Sequence, residues 1–327
     1  MRSFTYVRAP ELAIAIEAGL RPESAFLGGG TTLVDVMRIG VVAPAQVVDL
    51  GGLPLAEIAV LPDGGVRLGA LASNADAAAH PAILARFPVI AEALLAGASP
   101  QVRNMATTGG NLLQKTRCPY YRDLASPCNK RQPGAGCAAI DGYNRSHALL
   151  GGSAQCIATH PSDLCVALAA LDATVRLNGP RGERAVAFED FHTLPGDHPE
   201  LESVLEPGEV IVAVDLPARP FTVHSRYVKA RDRASFAFAL ASAAVALDLG
   251  AGRIREARIA LGGVATKPWR ARDAERLLAG EAPSSDVFQR AATAALQGAK
   301  PRTHNAFKVE LAQHVIVRAL ERAAGVS

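Results

Sequence analysis

The sequence predicts an α+β protein of two or three domains, on three observations. At 327 residues the chain is too long for one small core. Helix-period segments and short strand-like apolar runs follow one another with no internal repeat. The composition changes after Pro217-Ala218-Arg219-Pro220, which puts a first unit at residues 1–220 and a second at 221–327. A hydrophobic content of 49% and a charged content of 20% are those of an ordinary globular chain. The net charge of +3 implies neither a nucleic-acid tail nor a polybasic membrane surface. No apolar run reaches the roughly 18 residues of a membrane span. The start lacks the apolar stretch of a signal peptide, so the chain by itself is expected in the cytoplasm.

In order, residues 10–19 read as a helix with Leu12, Ile16 and Leu20 on one face. Residues 25–27 form a short strand before Gly28-Gly29-Gly30-Thr31-Thr32, and a helix with Leu33, Val36 and Met37 follows. Residues 46–50 are a strand. Residues 58–61 and 66–68 flank Pro62-Asp63-Gly64-Gly65, a hairpin signal. Ser73 caps a helix that Pro81 is expected to stop; residues 88–96 and 99–104 are two more helices. After a cysteine-bearing loop, residues 155–158 read as a strand and 162–171 as a helix capped by Ser162. Strands are expected at 173–177, 184–188, 210–216 and 255–261. Residues 225–230 and 237–249 have strand or buried-helix character that periodicity does not decide. Residues 271–278, 285–299 and 305–323 are helices, the last with Val309, Ala312, Ile316, Ala319 and Ala323 at helical spacing.

Two glycine turns stand out. Gly28-Gly29-Gly30-Thr31-Thr32 opens a helix, where backbone N–H groups and hydroxyls suit a phosphate, or simply a tight structural turn. A Rossmann fingerprint fits Gly28, Gly30 and Asp49, but its third glycine position is Leu33; no Walker lysine follows. Thr107-Thr108-Gly109-Gly110-Asn111 offers similar chemistry, and the two turns could grip one pyrophosphate from two sides. Asp163, at a helix start, could accept hydrogen bonds from ligand hydroxyls or simply favour the helix dipole.

Four of the five cysteines, Cys118, Cys128, Cys137 and Cys156, fall in one Pro- and Gly-rich segment, separated by nine, eight and eighteen residues. A long irregular loop inside a domain needs a reason. The spacing is neither that of zinc ribbons nor that of bacterial ferredoxins. Buried free thiols, two disulfides, a zinc site and an iron–sulfur cluster all remain open. Lys115, Arg117, Arg122, Lys130, Arg131 and Arg145, against only Asp123 and Asp141 in the segment, favour an anionic centre. Cys165, among Leu164, Val166, Ala167 and Leu168, reads as a small core residue.

Together these residues resemble a known family. Phe4-x-Tyr6 before the Pro10 helix, Gly28-Gly29-Gly30-Thr31, Thr108-Gly109-Gly110-Asn111, Pro161-Ser162-Asp163 and Tyr227-x-Lys229 occur in the order of the FAD-binding medium subunits of xanthine dehydrogenase-family molybdenum hydroxylases. The loop motifs Arg117-Cys118-Pro119-Tyr120, Pro127-Cys128-Asn129-Lys130-Arg131, Pro133-Gly134-Ala135-Gly136-Cys137 and Cys156-Ile157-Ala158-Thr159-His160-Pro161 are similar to those of the flavin subunits of periplasmic-type bacterial aldehyde oxidoreductases. Many relatives have an alanine before the first turn, where this chain reads Leu27-Gly28.

The resemblance implies a two-lobed FAD-binding domain of the PCMH/vanillyl-alcohol-oxidase-like type, with a cluster loop at about 115–157, and then a C-terminal α+β domain. It implies FAD held by Leu27, Gly28, Gly29, Gly30, Thr31, Thr32 and Leu33 and by Thr108, Gly109, Gly110 and Asn111. Asp163 would meet ribityl or ribose hydroxyls and Lys229 would lie near the flavin. Cys118, Cys128, Cys137 and Cys156 would ligate an additional [4Fe–4S] cluster. No catalytic residue is implied: substrate is oxidised on a molybdenum-cofactor large subunit. Electrons pass through a small [2Fe–2S] subunit to FAD here and on to an external acceptor. Such a heterotrimer is periplasmic if a partner carries the export signal. The competing readings are a zinc-stabilised nucleotide-binding module without redox chemistry and a free-standing flavin oxidoreductase.

Overall fold

Capped helices and short apolar strands assemble into three sheets. The computed structural model describes residues 1–219 and 223–326. The expected boundary at 217–220 and the split at 220/221 reach outside those residues. No described helix is long and apolar enough to cross a membrane.

The first lobe alternates strand and helix: β1 (Thr5–Arg8), α1 (Leu12–Gly19), β2 (Ser24–Leu27), α2 (Leu33–Arg38) and β3 (Gln46–Asp49). Its strands are parallel in the order β1-β3-β2, as helical crossovers require. Ala9, Ala15, Val48, Leu50 and Leu53 form its core.

The hairpin β4 (Ile58–Val60) and β5 (Val66–Gly69) leads into five short helices: α3 (Asn74–Ala79), α4 (Pro81–Arg86), α5 (Pro88–Ala96), α6 (Pro100–Met105) and α7 (Thr108–Leu112). Ser73, Ser99 and Thr107 cap three of them by accepting from the N–H groups of Asp76, Val102 and Gly110. Pro81 ends α3 but also begins α4, because proline is pre-organised for a first helical turn. The turn expected at 107–111 is α7. The cysteine loop, expected to hold no regular structure, contains one helical turn, α8 (Pro119–Arg122). Residues 155–158 are not a strand; Ala148 N–H bonds to Ile157 O and Ser153 N–H to Cys156 O, local partners that displace a ladder. Then come α9 (Asp163–Ala170), β6 (Thr174–Gly179), β7 (Gly182–Ala187), α10 (Phe188–Phe191) and β8 (Val210–Leu216), completing an antiparallel sheet of order β4-β5-β8-β6-β7.

The undecided segments are both strands. β9 (Ser225–Ala230), β10 (Ala241–Gly250), β11 (Arg253–Gly262) and β12 (Trp269–Arg270) form an antiparallel sheet, followed by α11 (Arg272–Leu278), α12 (Ser285–Ala295) and α13 (Phe307–Ala324). The reason periodicity fails is visible along β10. Ala244 and Ala246 face the core shared with α5 and α9, while Ala243, Val245 and Leu247 face the core under α11–α13. Both faces are apolar, so the strand has no polar alternation to read.

The two sheets are also stitched by charge. Arg270, 2% exposed, pairs with Asp172 after α9 and Glu275 on α11, and donates to Ala169 O at 2.8 Å. Glu275 in turn accepts from Ile259 N–H at 2.8 Å. Arg270→Ala leaves buried Glu275 unpaired and is expected to cost about 3–5 kcal/mol. A loss below about 1 kcal/mol in denaturant titration, the size of a surface pair, would show that these ions do not hold the sheets together.

Candidate functional site

The first glycine turn bridges β2 and α2. Gly30 sits at φ +74°, a conformation that favours glycine. The backbone N–H groups of Gly29, Gly30, Thr31 and Thr32 have no hydrogen-bond partner among the described residues. The second turn differs from its expected chemistry. Its N–H groups are taken: Thr108 by Ala72 O (2.9 Å), Gly109 by Ala70 O (2.8 Å), Gly110 by Thr107 Oγ1 (3.2 Å) and Asn111 by Thr107 O (2.8 Å). It supports the site by packing. A Cβ on Gly29 would lie 1.6 Å from Met105 O, so the chain leading into α7 presses directly on the first turn.

Two cavities meet at these turns. One, of about 440 Å³, is bordered by residues 28–33, Lys115, Cys156, His160 and His192. The other, of about 770 Å³, is bordered by Asn111, Asp163, Lys229, Arg233 and Phe236. Thr31, Thr32, Gly110, Gln114 and Pro161 line both, so the two form one groove over the turns. Their sizes are those of cofactor sites. Asn111 Oδ1 accepts from Gln114 and Ser162, which leaves its Nδ2 protons without a partner among the described residues. Three expected contacts lie behind the wall. Leu27 closes β2, Thr108 is fully buried with its hydroxyl on Ala72 O, and Gly109 packs on Ala70.

Asp163 and Lys229 are brought together, which the sequence did not indicate. Lys229 Nζ lies 2.7 Å from Asp163 Oδ2, with the two side chains 4% and 9% exposed. Tyr227 Oη donates to the other carboxylate oxygen. Burial, then the Asp163 charge, pushes the Tyr227 phenol well up and keeps it a donor. Asp163 therefore reaches the groove already held by two protein donors.

The four loop cysteines gather around a small void lined also by Tyr120, Tyr121 and Lys130. All are free thiols, three of them buried, in a private core with Tyr121, Ala139, Ile157 and Ala158. Burial pushes the Cys118 thiol up to about 12 and raises that of Cys156, so neither ionises by itself at neutral pH. Yet donors point at the sulfurs. The N–H of Ala158 reaches Cys156 Sγ at 3.4 Å, His147 Nε2 lies 3.2 Å from Cys118 Sγ, and the N–H groups of Tyr120 and Tyr121 favour a Cys118 anion. Donors converging on buried sulfur suit metal-bound thiolates. One zinc ion would bring four sulfurs to about 3.8 Å from one another, given bonds of about 2.3 Å. Among the described residues, three or more such ligand atoms lie within 4.8 Å of one another at His160, Cys165 and His192, and not among these four thiols.

The basic residues of the loop do not simply surround the cysteines. Lys115 and Lys130 share Glu202, Arg117 and Arg122 share Asp35, Arg145 pairs with Asp232, and Arg131 binds backbone carbonyls of residues 120, 121 and 126. Their acids come from outside the segment, which a local charge count misses. Missed as well were His147 and Lys308, a lysine on α13 that is fully buried. Nothing in their local sequence marks either.

His160, Cys165 and His192 bring three ligand-type atoms within 4.8 Å of one another. Cys165 is a core residue, as expected. His192 Nε2–H donates to Leu112 O at 2.9 Å, leaving Nδ1 a bare acceptor; His160 Nδ1 accepts from Ser162 N–H, leaving Nε2 the protonated nitrogen. These two remaining nitrogens, both buried and unpartnered, are complementary donor and acceptor, with ring centres 4.5 Å apart. Burial pushes His192 down to about 4 and His160 well down, so both rings are neutral.

Comparison with known proteins places this geometry. Residues 2–219 match the family described as FAD binding domain in molybdopterin dehydrogenase, and residues 226–323 match the CO dehydrogenase flavoprotein C-terminal domain. The chain is 46% identical over 326 residues to the aldehyde oxidoreductase FAD-binding subunit PaoB of Escherichia coli, covering 99% of each chain. It is 27% identical to the carbon monoxide dehydrogenase medium chain of Afipia carboxidovorans, covering 98% of this chain and 96% of that one. Among solved structures, carbon monoxide dehydrogenase from Hydrogenophaga pseudoflava superposes with a TM-score of 0.78 at 26% identity, and quinoline 2-oxidoreductase from Pseudomonas putida 86 with 0.77 at 25%; each comparison covers 99% of this chain and 98% of the other. By its two matched segments and its full-length likeness to these proteins, the chain belongs to the FAD-binding medium subunits of the molybdenum hydroxylase family, and is an oxidoreductase subunit.

Proposed function

We propose that this chain carries FAD in the groove and a [4Fe–4S] cluster on Cys118, Cys128, Cys137 and Cys156. It would serve as the electron exit of a molybdenum-dependent aldehyde oxidoreductase, between a small [2Fe–2S] subunit and an external acceptor. The observation that carries this reading is Cys156, which borders both the 440 Å³ cavity and the void among the four sulfurs. One residue then touches both sites, which favours a short electron hop. The groups themselves would supply the electron chemistry. The protein's part is binding and orientation. The free N–H groups of residues 29–32 suit a pyrophosphate. Asn111 Nδ2 offers a further donor, and Asp163 and Lys229 line the larger end. The FAD-binding unit would run to about residue 220 and the C-terminal unit from 221. The relative at 46% identity is named as an aldehyde oxidoreductase subunit, which favours that substrate class for the assembled enzyme.

Gly29→Val tests the groove. The new side chain collides with Met105 O, forces the two turns apart, and should leave the purified protein without bound FAD by absorbance. Full occupancy would show that the turns are structural only. For the cluster, Cys137→Ser should lose iron while Cys165→Ser keeps it; unchanged iron in Cys137→Ser would refute the ligand assignment. The division of labour has its own check. The isolated chain should be reduced by dithionite yet inert toward aldehydes, with substrate-driven flavin bleaching restored by the molybdenum and [2Fe–2S] subunits. Turnover of an aldehyde by the isolated chain would make it a free-standing flavin oxidoreductase instead.

A further inference from the structure

Behind the cysteine loop lies a cation with no acid. Lys308 is 0% exposed, and its Nζ donates to His147 O at 2.8 Å and Gly263 O at 2.6 Å. No carboxylate pairs with it among the described residues. Two carbonyls take two of its three protons and none of its charge, and a buried ammonium without a counter-ion is costly. Burial, then Arg145, pushes it down to about 7. An anionic group nearby would remove that cost.

The same contact leads to one. The residue whose carbonyl Lys308 holds, His147, places Nε2 3.2 Å from Cys118 Sγ. Its imidazole is buried, and Nδ1 has no partner. Nε2 is the ring nitrogen that reaches a hydrogen-bond partner, and that partner is Sγ. His147 also borders a small cavity that runs from Cys118 to Asp163, so it stands on the groove side of that sulfur.

Resting on the cluster reading above, we infer that His147 and Lys308 set the reduction potential of the cluster at Cys118, by an N–H···S hydrogen bond and a buried positive charge. One-electron reduction adds a negative charge to the cluster, the electron coming from the [2Fe–2S] partner or from dithionite. Both groups favour the more negative form, so both raise the potential. They are positioning residues: they act through Cys118 and touch no substrate.

The test is a potentiometric titration of the holoenzyme at one pH, following the cluster by EPR and the flavin by absorbance. His147→Leu is expected to make reduction of the cluster about tenfold less favourable, a shift of about 59 mV to lower potential. His147→Gln, which keeps an N–H donor, should recover most of it. Lys308→Met should move the midpoint in the same direction and reads the charge independently; if it does not fold, the two His147 variants decide. The flavin midpoint should stay where it is. An unchanged cluster midpoint in iron-replete His147→Leu, or an equal shift of cluster and flavin, overturns the inference. Wild-type enzyme without four irons and a cluster signal attached to this chain overturns the cluster reading instead.

Discussion

Asp163 is the point at which the structure is tied together. It opens α9, a helix whose eight residues are all buried, between the five-stranded sheet and the C-terminal sheet. Ser162 caps that helix through Cys165 N–H and also donates to Asn111 on α7. From the other side β9 supplies Tyr227 Oη and Lys229 Nζ to the same carboxylate, and Lys229 continues to Ala96 O at the end of α5. A buried ion pair is weak evidence for stability, but removing one partner leaves a stranded charge. Its value here is geometric. α9 and β9 meet at this carboxylate beside the larger cavity, with α7 held through Ser162 and α5 through Lys229.

The cysteine loop solves a different problem. It has almost no ladder, so its backbone groups must find side chains. Asn129 bridges Gly136 N–H and Gln155 O, Arg131 gathers carbonyls from residues 120, 121 and 126, and Tyr120 Oη takes the N–H of Tyr143. Gly142 leaves room for that phenol, since a Cβ there would lie 2.3 Å from Tyr120 Oη. These bonds fix the path of the chain, yet the centre of the loop is four sulfurs around a void. Two of these thiols, Cys118 and Cys156, are raised by burial and met by N–H donors, which makes this a poor apolar core.

How much of this was legible depended on how local its cause was. The caps at Ser73 and Ser162, the hairpin at 62–65 and the helix at 88–96 follow from neighbouring residues, and the structure has them. The four cysteines and the first glycine turn were visible as types in a pattern. What the sequence left out was non-local. At Gly29, Met105 O from seventy-odd residues away fills the space a side chain would need. The second turn resembles the first in composition, yet Ala70, Ala72 and Thr107 take its backbone N–H groups. The loop's basic residues looked unpaired because Asp35, Glu202 and Asp232 lie outside it. β10 could not be told from a buried helix because two cores claim its two faces.

Charge completes the argument for what the groove can hold. At the larger cavity Arg103, Arg117, Lys229 and Arg233 stand against Asp35, Asp163 and Asp232. Two of those carboxylates are also claimed from outside, Asp35 by Arg122 and Asp232 by Arg145. Arg122, with Arg117, holds Asp35 below the usual carboxylate range, and Arg145 does the same for Asp232. Asp35 and Asp232 are therefore over-matched by arginine, and the cavity keeps an excess of positive charge. At the smaller cavity Lys115 and Lys130 are balanced by Glu200 and Glu202. The unpartnered N–H groups of residues 29–32 sit where the two cavities join. The anionic part of a ligand is drawn there both by the positive larger cavity and by turn donors that no protein acceptor among the described residues occupies.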